Sequence, residues 1–512
     1  MKRTDLFLPF VFLLAVFNLF GQQPNRPAPA DVPPYTFNRF DSTYTGYFFA
    51  TPFNIAAQVG APGFNRPKPA VILDADGYLF WYLPVQARNV SDFKYLPDRN
   101  MYALIRGRGP QDLKGLLLDS TFQVVDSFFT TNGIRPDGHD FQATTNGTVL
   151  VAGASDSTMD LSAFTFQGMP GDTQTRVVGF AVQEFDEDHN LLFQWNSNDH
   201  IHPAKAYDFY GYNPNAFDYC HGNSIEEDDD GGLLLSFRHL NAVYKVNRVS
   251  GQVEWELGGK NSSFTFSNDP GFSGQHDARR LPNGHIALFD NANTAAPPRV
   301  SRAVEYALDT VNWVATKMWE YKFAPGFFSS AMGGHQTTPG RLHLVSYGLI
   351  YRPNPSFVLV DDAGNLLSAL FFQDSFMSYR AYLFEQPHLD AIERPVITCA
   401  QTGSTVTLSA PPGYDRYAWS TGENAPSITL QNPGTYQVWV NQGPGMLGSK
   451  PLYIADLNNA CPVSTTQEPL AGGVPAVAAY FDLLGRQVDQ PEKGQVYAVR
   501  YTDGRVKLVL YQ

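Results

Sequence analysis

Between Tyr47 and Phe384 the chain repeats one pattern, and that repetition limits the fold more than any other feature. One half of the repeat is an apolar strand, an Asp/Asn/Gly turn and an aromatic-rich strand. Its copies are AVILDADGYLFWYL from Ala70, GLLLDSTFQVVDSFF from Gly115, GFAVQEFDEDHNLLFQW from Gly179, AVYKVNRVSGQVEWEL from Ala242, AVEYALDTVNWVATKMWEY from Ala303 and SFVLVDDAGNLLSALFF from Ser356. The other half is a short polar segment, a turn and a second apolar strand. It appears as SDFKYLPDRNMYALI from Ser91, HDFQATTNGTVLVAG from His139, HGNSIEEDDDGGLLLSF from His221, HDARRLPNGHIALFD from His276 and HQTTPGRLHLVSYG from His335, with a degenerate copy around Ser378–Phe384. Alternating apolar strands joined by Gly/Asn/Asp turns are hairpins. Two hairpins per unit, at a period of roughly 50 residues, predict a six-bladed β-propeller over 47–387. A string of sandwiches would repeat at about 100 residues and would not return a polar residue to the same strand start.

Composition narrows the class further. The chain has 512 residues, 49 acidic against 36 basic, and a formal net charge of −13. Without a Lys/Arg cluster this balance argues against nucleic-acid binding. At the N-terminus Lys2 and Arg3 precede the apolar run LFLPFVFLLAVFNLF and polar Gln22–Gln23, the layout of a secretory signal peptide over 1–22. The run is short for a membrane span and holds Pro9 and Asn18, so no transmembrane segment is expected in the mature chain. Residues 23–46 form an N-terminal segment ahead of the first repeat.

Behind the repeats the pattern changes. Short strands over 393–462, with Trp419 and Tyr436 as core aromatics, predict an immunoglobulin-like β-sandwich. Export to an oxidising compartment makes a Cys399–Cys461 disulfide plausible, which leaves Cys220 as a small buried residue. A linker over 463–475 leads to a last set of strands over 476–512. Its YFDLLGRQV and GQVYAVRYTDGRVKLVLYQ segments resemble the C-terminal sorting domain of the type IX secretion system. That resemblance implies passage through the periplasm of a Gram-negative bacterium to the surface or medium, with the secretion machinery as a partner.

The chemistry lies in the histidines. Of the 11 in the chain, His139, His221, His276 and His335 open the second half of successive repeats. Equivalent positions of a propeller return to the same radius, so these side chains are expected around the central channel. Imidazoles grouped there would make a poor core and a good anion, metal or nucleophilic site. His189, His239, His285, His343 and His388 fall elsewhere in the repeat and are expected at the surface or in turns. His200 and His202 sit in a long loop, 199–215, able to cap the channel. No HExxH, paired CxxC, GxSxG or phosphate-binding loop is present, so neither a metal nor a cofactor is expected.

DYCHGNSIEEDDDGGLLLSFRHLNAVYKVNRVSGQVEWELGG, followed by GQHDARRLPNGHIALFDN and SRAVEYALD, resembles the bacterial arylsulfotransferases. The resemblance implies an exported sulfotransferase that moves a sulfuryl group from an aryl sulfate to a phenol without a nucleotide, through a sulfohistidine. By the same resemblance His221 and His276 are the two supporting histidines, Arg299 the catalytic arginine with Arg302 as its competitor, and His335 the nucleophile. His139 and Arg238 are expected to line the channel as substrate-binding residues. The alternative is a non-catalytic secreted propeller that binds a glycan, a peptide or a surface partner.

Overall fold

The computed structural model describes residues 25–54, 69–84, 89–109, 111–324, 327–350, 354–385 and 388–461, with four short strands between 477 and 510. The expected signal peptide at 1–22 and the linker at 463–475 lie outside the described residues. Among those described, regular structure is β-strand, and helix occurs only as short 3-10 turns.

Six sheets carry the repeats, each built on four antiparallel strands in up-and-down order, some with further strands at the outer edge. The first joins Phe376–Phe384 to Tyr47–Asn54, Ala70–Asp74 and Leu79–Leu83. The second holds Asn89–Leu96, Met101–Gly107, Lys114–Leu118 and Val124–Phe128. The third holds Arg135–Ala143, Val149–Met159, Thr175–Phe185 and Leu191–Asn196. The fourth holds Gly222–Glu227, Leu233–Phe237, Ala242–Val246 and Val253–Gly258. The fifth holds His276–Arg280, Ile286–Asp290, Arg302–Asp309 and Val314–Tyr321, and the sixth Gly334–Thr337, His343–Ser346, Phe357–Val360 and Leu366–Phe372.

The first-named strand of each sheet is the innermost. These six strands touch their neighbours in turn and close a ring, a propeller-like arrangement. Closure uses both ends of the repeat region: Tyr47 pairs with Phe384 in the first sheet, so the last strand completes the earliest hairpins. The N-terminal segment adds a second clasp, because Tyr35–Arg39 pairs along Leu366–Phe372 as a fifth strand of the sixth sheet. Between sheets the core is aromatic, as where Phe48 stacks on Phe357 at 5.3 Å and Trp81 on Phe122 at 4.3 Å. Each such ring removes about 150–250 Å² from water and contributes on the order of a few kcal/mol.

Of the strands between Pro395 and Cys461, five form two small sheets and three continue the first sheet, around a core of Trp419, Tyr436, Leu408 and Val438, and Cys399 is bonded to Cys461 with Cα atoms 5.5 Å apart. This module extends the first sheet: Gly445–Gly448 pairs with Leu79–Leu83, setting Leu447 opposite Trp81. Gly445 permits this, since a Cβ there would lie 2.2 Å from the Trp81 ring. The strands Val477–Phe481, Gln487–Val488, Val496–Tyr501 and Val506–Leu510 form one further four-stranded sheet.

Candidate active site

The inner strands run in the same sense, so the channel has an end near their N-termini, a middle and an end near their hairpin turns. The middle is a buried ionic plug. Asp92, Asp140 and Asp277 meet Lys94, Arg279 and Arg380, with Lys94 Nζ 2.7 Å from Asp92 and Arg279 Nη2 2.8 Å from both Asp140 and Asp277. Three carboxylates against three cations balance their formal charges in the largely buried middle of the channel. At the hairpin-turn end a cavity of about 370 Å³ is lined by polar groups including Glu226, Arg280, Gln336 and Thr337.

The histidine cluster occupies the other end. His139 Nδ1 lies 2.6 Å from Asp137 Oδ1, and His221 Nδ1 lies 2.5 Å from Asp218 Oδ2. Burial alone would lower the His139 pKa, but the charge and hydrogen bond of Asp137 outweigh it and raise the pKa above the ordinary histidine value. Burial likewise opposes ionisation of Asp218, yet His221, His239 and His139 hold its carboxyl well below the usual range. The carboxylates therefore fix both imidazoles with Nδ1–H bonded and Nε2 facing the channel. His221 adopts a left-handed backbone, φ +50°, held where its N–H donates to Asp218 at 3.0 Å.

Around this pair stand groups from three other positions. His239 stacks on His221 at 4.6 Å, its Nδ1 2.6 Å from the Asp218 carbonyl and its Nε2 3.0 Å from Arg238 Nη1. Burial first, then the His221 charge, push His239 down to about 3. His276 keeps Nδ1 on Asn291 at 2.7 Å while its Nε2 accepts from the Met332 N–H at 3.1 Å. Burial and then Arg238 hold it well below the ordinary value, so it is neutral. Arg238 donates to the Ser330 carbonyl, and Tyr379 from the first sheet faces His139 at 5.6 Å. Among the described residues, the buried Arg238 Nε and Tyr379 hydroxyl have no hydrogen-bond partner. Two such donors beside two imidazoles are the kind of groups an anion satisfies.

The loop at 199–215 covers this end. Tyr210 stacks on His239 at 4.4 Å and its hydroxyl donates to Asn241 at 2.9 Å. Arg299 sits above, 5.3 Å over the Phe209 ring, so it lies at the mouth and not among the histidines. His200 stacks on Trp195 and His202 caps its own turn, so neither joins the cluster.

His335 is not brought to the cluster either. It is fully buried, stacks on Trp319 at 5.1 Å and lies 3.1 Å from His343. The reason is register. Four of the inner strands end at a turn opened by Thr144, Asp228, Leu281 or Thr338, whose N–H bonds the carbonyl closing the turn. Three positions earlier stand Phe141, Ile225, Ala278 and His335, all in the core. His139 and His276 stand five positions before their turns, beyond a β-bulge that turns them into the channel. The pairing from Gly334 to Thr337 is unbroken, so His335 keeps the core-facing position.

Arg302 also turns away: it is buried against Asp269, Asp290 and Glu320 as an ion-pair hub. His343, expected at the surface, is fully buried, and His239, expected outside the site, is central to it. Cys220 is buried as expected, its thiol pushed up to about 12 by burial.

The arylsulfotransferase (ASST) family model matches residues 123–354. The matched stretch contains His139, His221, Arg238, His239 and His276, and supports sulfotransferase activity in general. It leaves out Tyr379, which the closing strand supplies. A search of the curated proteins finds no match. Among solved structures, the chain is similar to a protein of unknown function from Bacteroides caccae, at 9% identity over 67% of this chain and 100% of that one, TM-score 0.42. It is also similar to TolB from Acinetobacter baumannii (12% identity, 67% and 68% covered, TM-score 0.34). A third is virginiamycin B lyase from Staphylococcus aureus (11%, 66% and 99%, TM-score 0.32). At these scores the likenesses carry no functional argument.

Proposed function

We propose that the chain is an exported, six-bladed-propeller sulfotransferase that moves a sulfuryl group from an aryl sulfate to a phenol, with His221 as nucleophile. The observation that carries this reading is the pair of aspartate-held histidines facing two unpartnered buried donors, Arg238 Nε and the Tyr379 hydroxyl. Export is supported by the basic-then-apolar N-terminus, and delivery through type IX secretion by the C-terminal motifs.

In the first half-reaction His221 Nε2 attacks sulfur and the bond from sulfur to the aryl oxygen breaks. His139, charged through Asp137, gives its proton to the leaving phenolate. Arg238 and Tyr379 donate to the sulfuryl oxygens, whose charge persists through transfer. In the second half-reaction neutral His139 takes the proton of the acceptor phenol, whose oxygen attacks the sulfur on His221 and frees the imidazole. His276, with both nitrogens occupied, holds the channel wall, while Phe209 and Arg299 at the mouth receive the aromatic ring.

The test is nitrophenol release from p-nitrophenyl sulfate with phenol as acceptor. Wild type should turn over, and His221→Ala should not. Denaturing the protein after donor alone should trap an adduct of about 80 Da on His221. An adduct on His335, or full activity in His221→Ala, would overturn the assignment, and an inactive wild type would leave the ligand-binding propeller as the reading.

A further inference from the structure

We propose that His335, His343, Glu305 and Thr337 form a Zn²⁺ site that ties the fifth sheet to the sixth. The site is separate from the histidine cluster, so this goes beyond the sulfotransferase reading and does not rest on it. It also departs from the expectation of no metal, which came from the absence of linear motifs.

Four donor atoms converge. His335 Nε2 is 3.1 Å from His343 Nδ1, and Thr337 Oγ1 is 3.4 Å from the first and 3.2 Å from the second. Glu305 Oε1 is 3.1 Å from Thr337 Oγ1 and 3.6 Å from His343 Nδ1. A tetrahedral ion with bonds of about 2.0–2.1 Å separates its ligand atoms by about 3.3 Å. Five of the six edges, 3.1–3.6 Å, bracket that value, and the sixth, between His335 and Glu305, lies within 4.8 Å. Glu305 comes from the strand Arg302–Asp309, while the other three come from Gly334–Thr337 and His343–Ser346. A shared ion would therefore bridge two sheets.

The tautomers point the same way. His343 Nε2 lies 3.1 Å from Asp362 Oδ1, so its N–H is on that side and the Nδ1 lone pair faces the cluster. A carboxylate on the far nitrogen is the usual support of a metal-bound histidine. Trp319 stacks on His343 at 3.8 Å and fixes the ring plane. His335, His343 and Glu305 are all buried. Arg341 reaches both Glu305 and Asp362, and His285 Nδ1 stands 3.5 Å from Glu305, completing the charged groups around the site. His335 and Thr337 line the cavity of about 370 Å³, which gives an ion a path in. The other compact set, Asp218, His221 and His239, lacks this property, because both nitrogens of His239 are already bonded.

The rival arrangement is a plain hydrogen bond in which His335 Nε2–H donates to His343 Nδ1, and one experiment separates the two. The full chain is stripped with chelator, re-equilibrated with a slight excess of ZnCl₂, desalted and analysed for metal. Wild type and His221→Ala should each retain about one Zn²⁺ per chain, whatever becomes of the sulfotransferase assignment. His343→Gln and Glu305→Gln should retain less than about a tenth of that, and Asp362→Asn should weaken binding by about 10–100-fold. Should the ligand variants fail to fold, Co²⁺ in the wild type decides, since a tetrahedral site gives intense visible bands. Retention below a tenth of an equivalent in wild type, equal retention in the ligand variants, or Co²⁺ without those bands would overturn the site.

Discussion

His139 and His221 meet edge to face, ring centroids 5.2 Å apart, each imidazole held at Nδ1 by an aspartate from its own chain segment. His139 lies on the inner strand Arg135–Ala143, and His221 immediately precedes the neighbouring one, Gly222–Glu227. Two similar groups with differently tuned surroundings can divide acid and nucleophile roles between them.

Asp218→Asn should lower kcat by about 10²–10⁴, because the amide no longer holds the His221 tautomer with Nε2 free. Stopped-assay nitrophenol release and the yield of the trapped adduct should fall together. A kcat within threefold of wild type would show that Asp218 does not orient the nucleophile.

The acid role of His139 sets the alkaline side of the pH profile. Its pKa lies above the ordinary 6.5, and transfer should decline as pH rises through that raised value. His139→Gln should reduce kcat and abolish that limb, read from kcat against pH with an acceptor of fixed ionisation. The same limb persisting in His139→Gln would assign it to another group.

Stability should respond to acid in the opposite sense. His239, His276, His335 and His343 all have folded pKa values below 6.5, so below that value the unfolded chain binds protons that the folded chain does not. Their contribution is therefore complete above pH 6.5 and is lost progressively as pH falls below it. The urea midpoint should drop between pH 7.5 and 5, and a flat profile would contradict their neutral burial.

His335→Ala should leave a cavity in the core beside Trp319. The expected loss is about 2–4 kcal/mol of stability, with kcat kept within about threefold. Loss of turnover at unchanged urea midpoint would instead return His335 to the chemistry.

Cys399→Ser should destabilise the C-terminal module by roughly 2–4 kcal/mol, since the bond closes a long loop with a sequence separation of 62. Transfer at the distant cluster should survive. Thermal scans in the presence and absence of reductant should reproduce the difference in wild type.

Much of the site can be read from the linear chain once the counting starts at the hairpin turns and not at the histidines. Asp137-Gly-His139 and Asp218-x-x-His221 place each orienting carboxylate within three residues of its imidazole. Counting back from Thr338 puts His335 beside Phe141, Ile225 and Ala278, where burial and not chemistry is the rule. Alignment by the histidine itself hides this, because the bulges that turn His139 and His276 inward are absent from the strand Gly334–Thr337. Tyr379 carries no such signal, lying in the degenerate copy, and His239 follows a strand end where its direction depends on a turn.

Local sequence determined the strands and their hairpins, because alternation and turn chemistry act over a few residues. It also set which residue types were available at each strand start. Ring closure decided the rest. Pairing Phe376–Phe384 with Tyr47–Asn54 brings Tyr379 beside histidines of the third and fifth sheets, and inter-sheet packing brings Glu305 to His343. Those contacts join positions far apart in the chain, and their geometry follows from bulges and sheet packing that no single segment specifies.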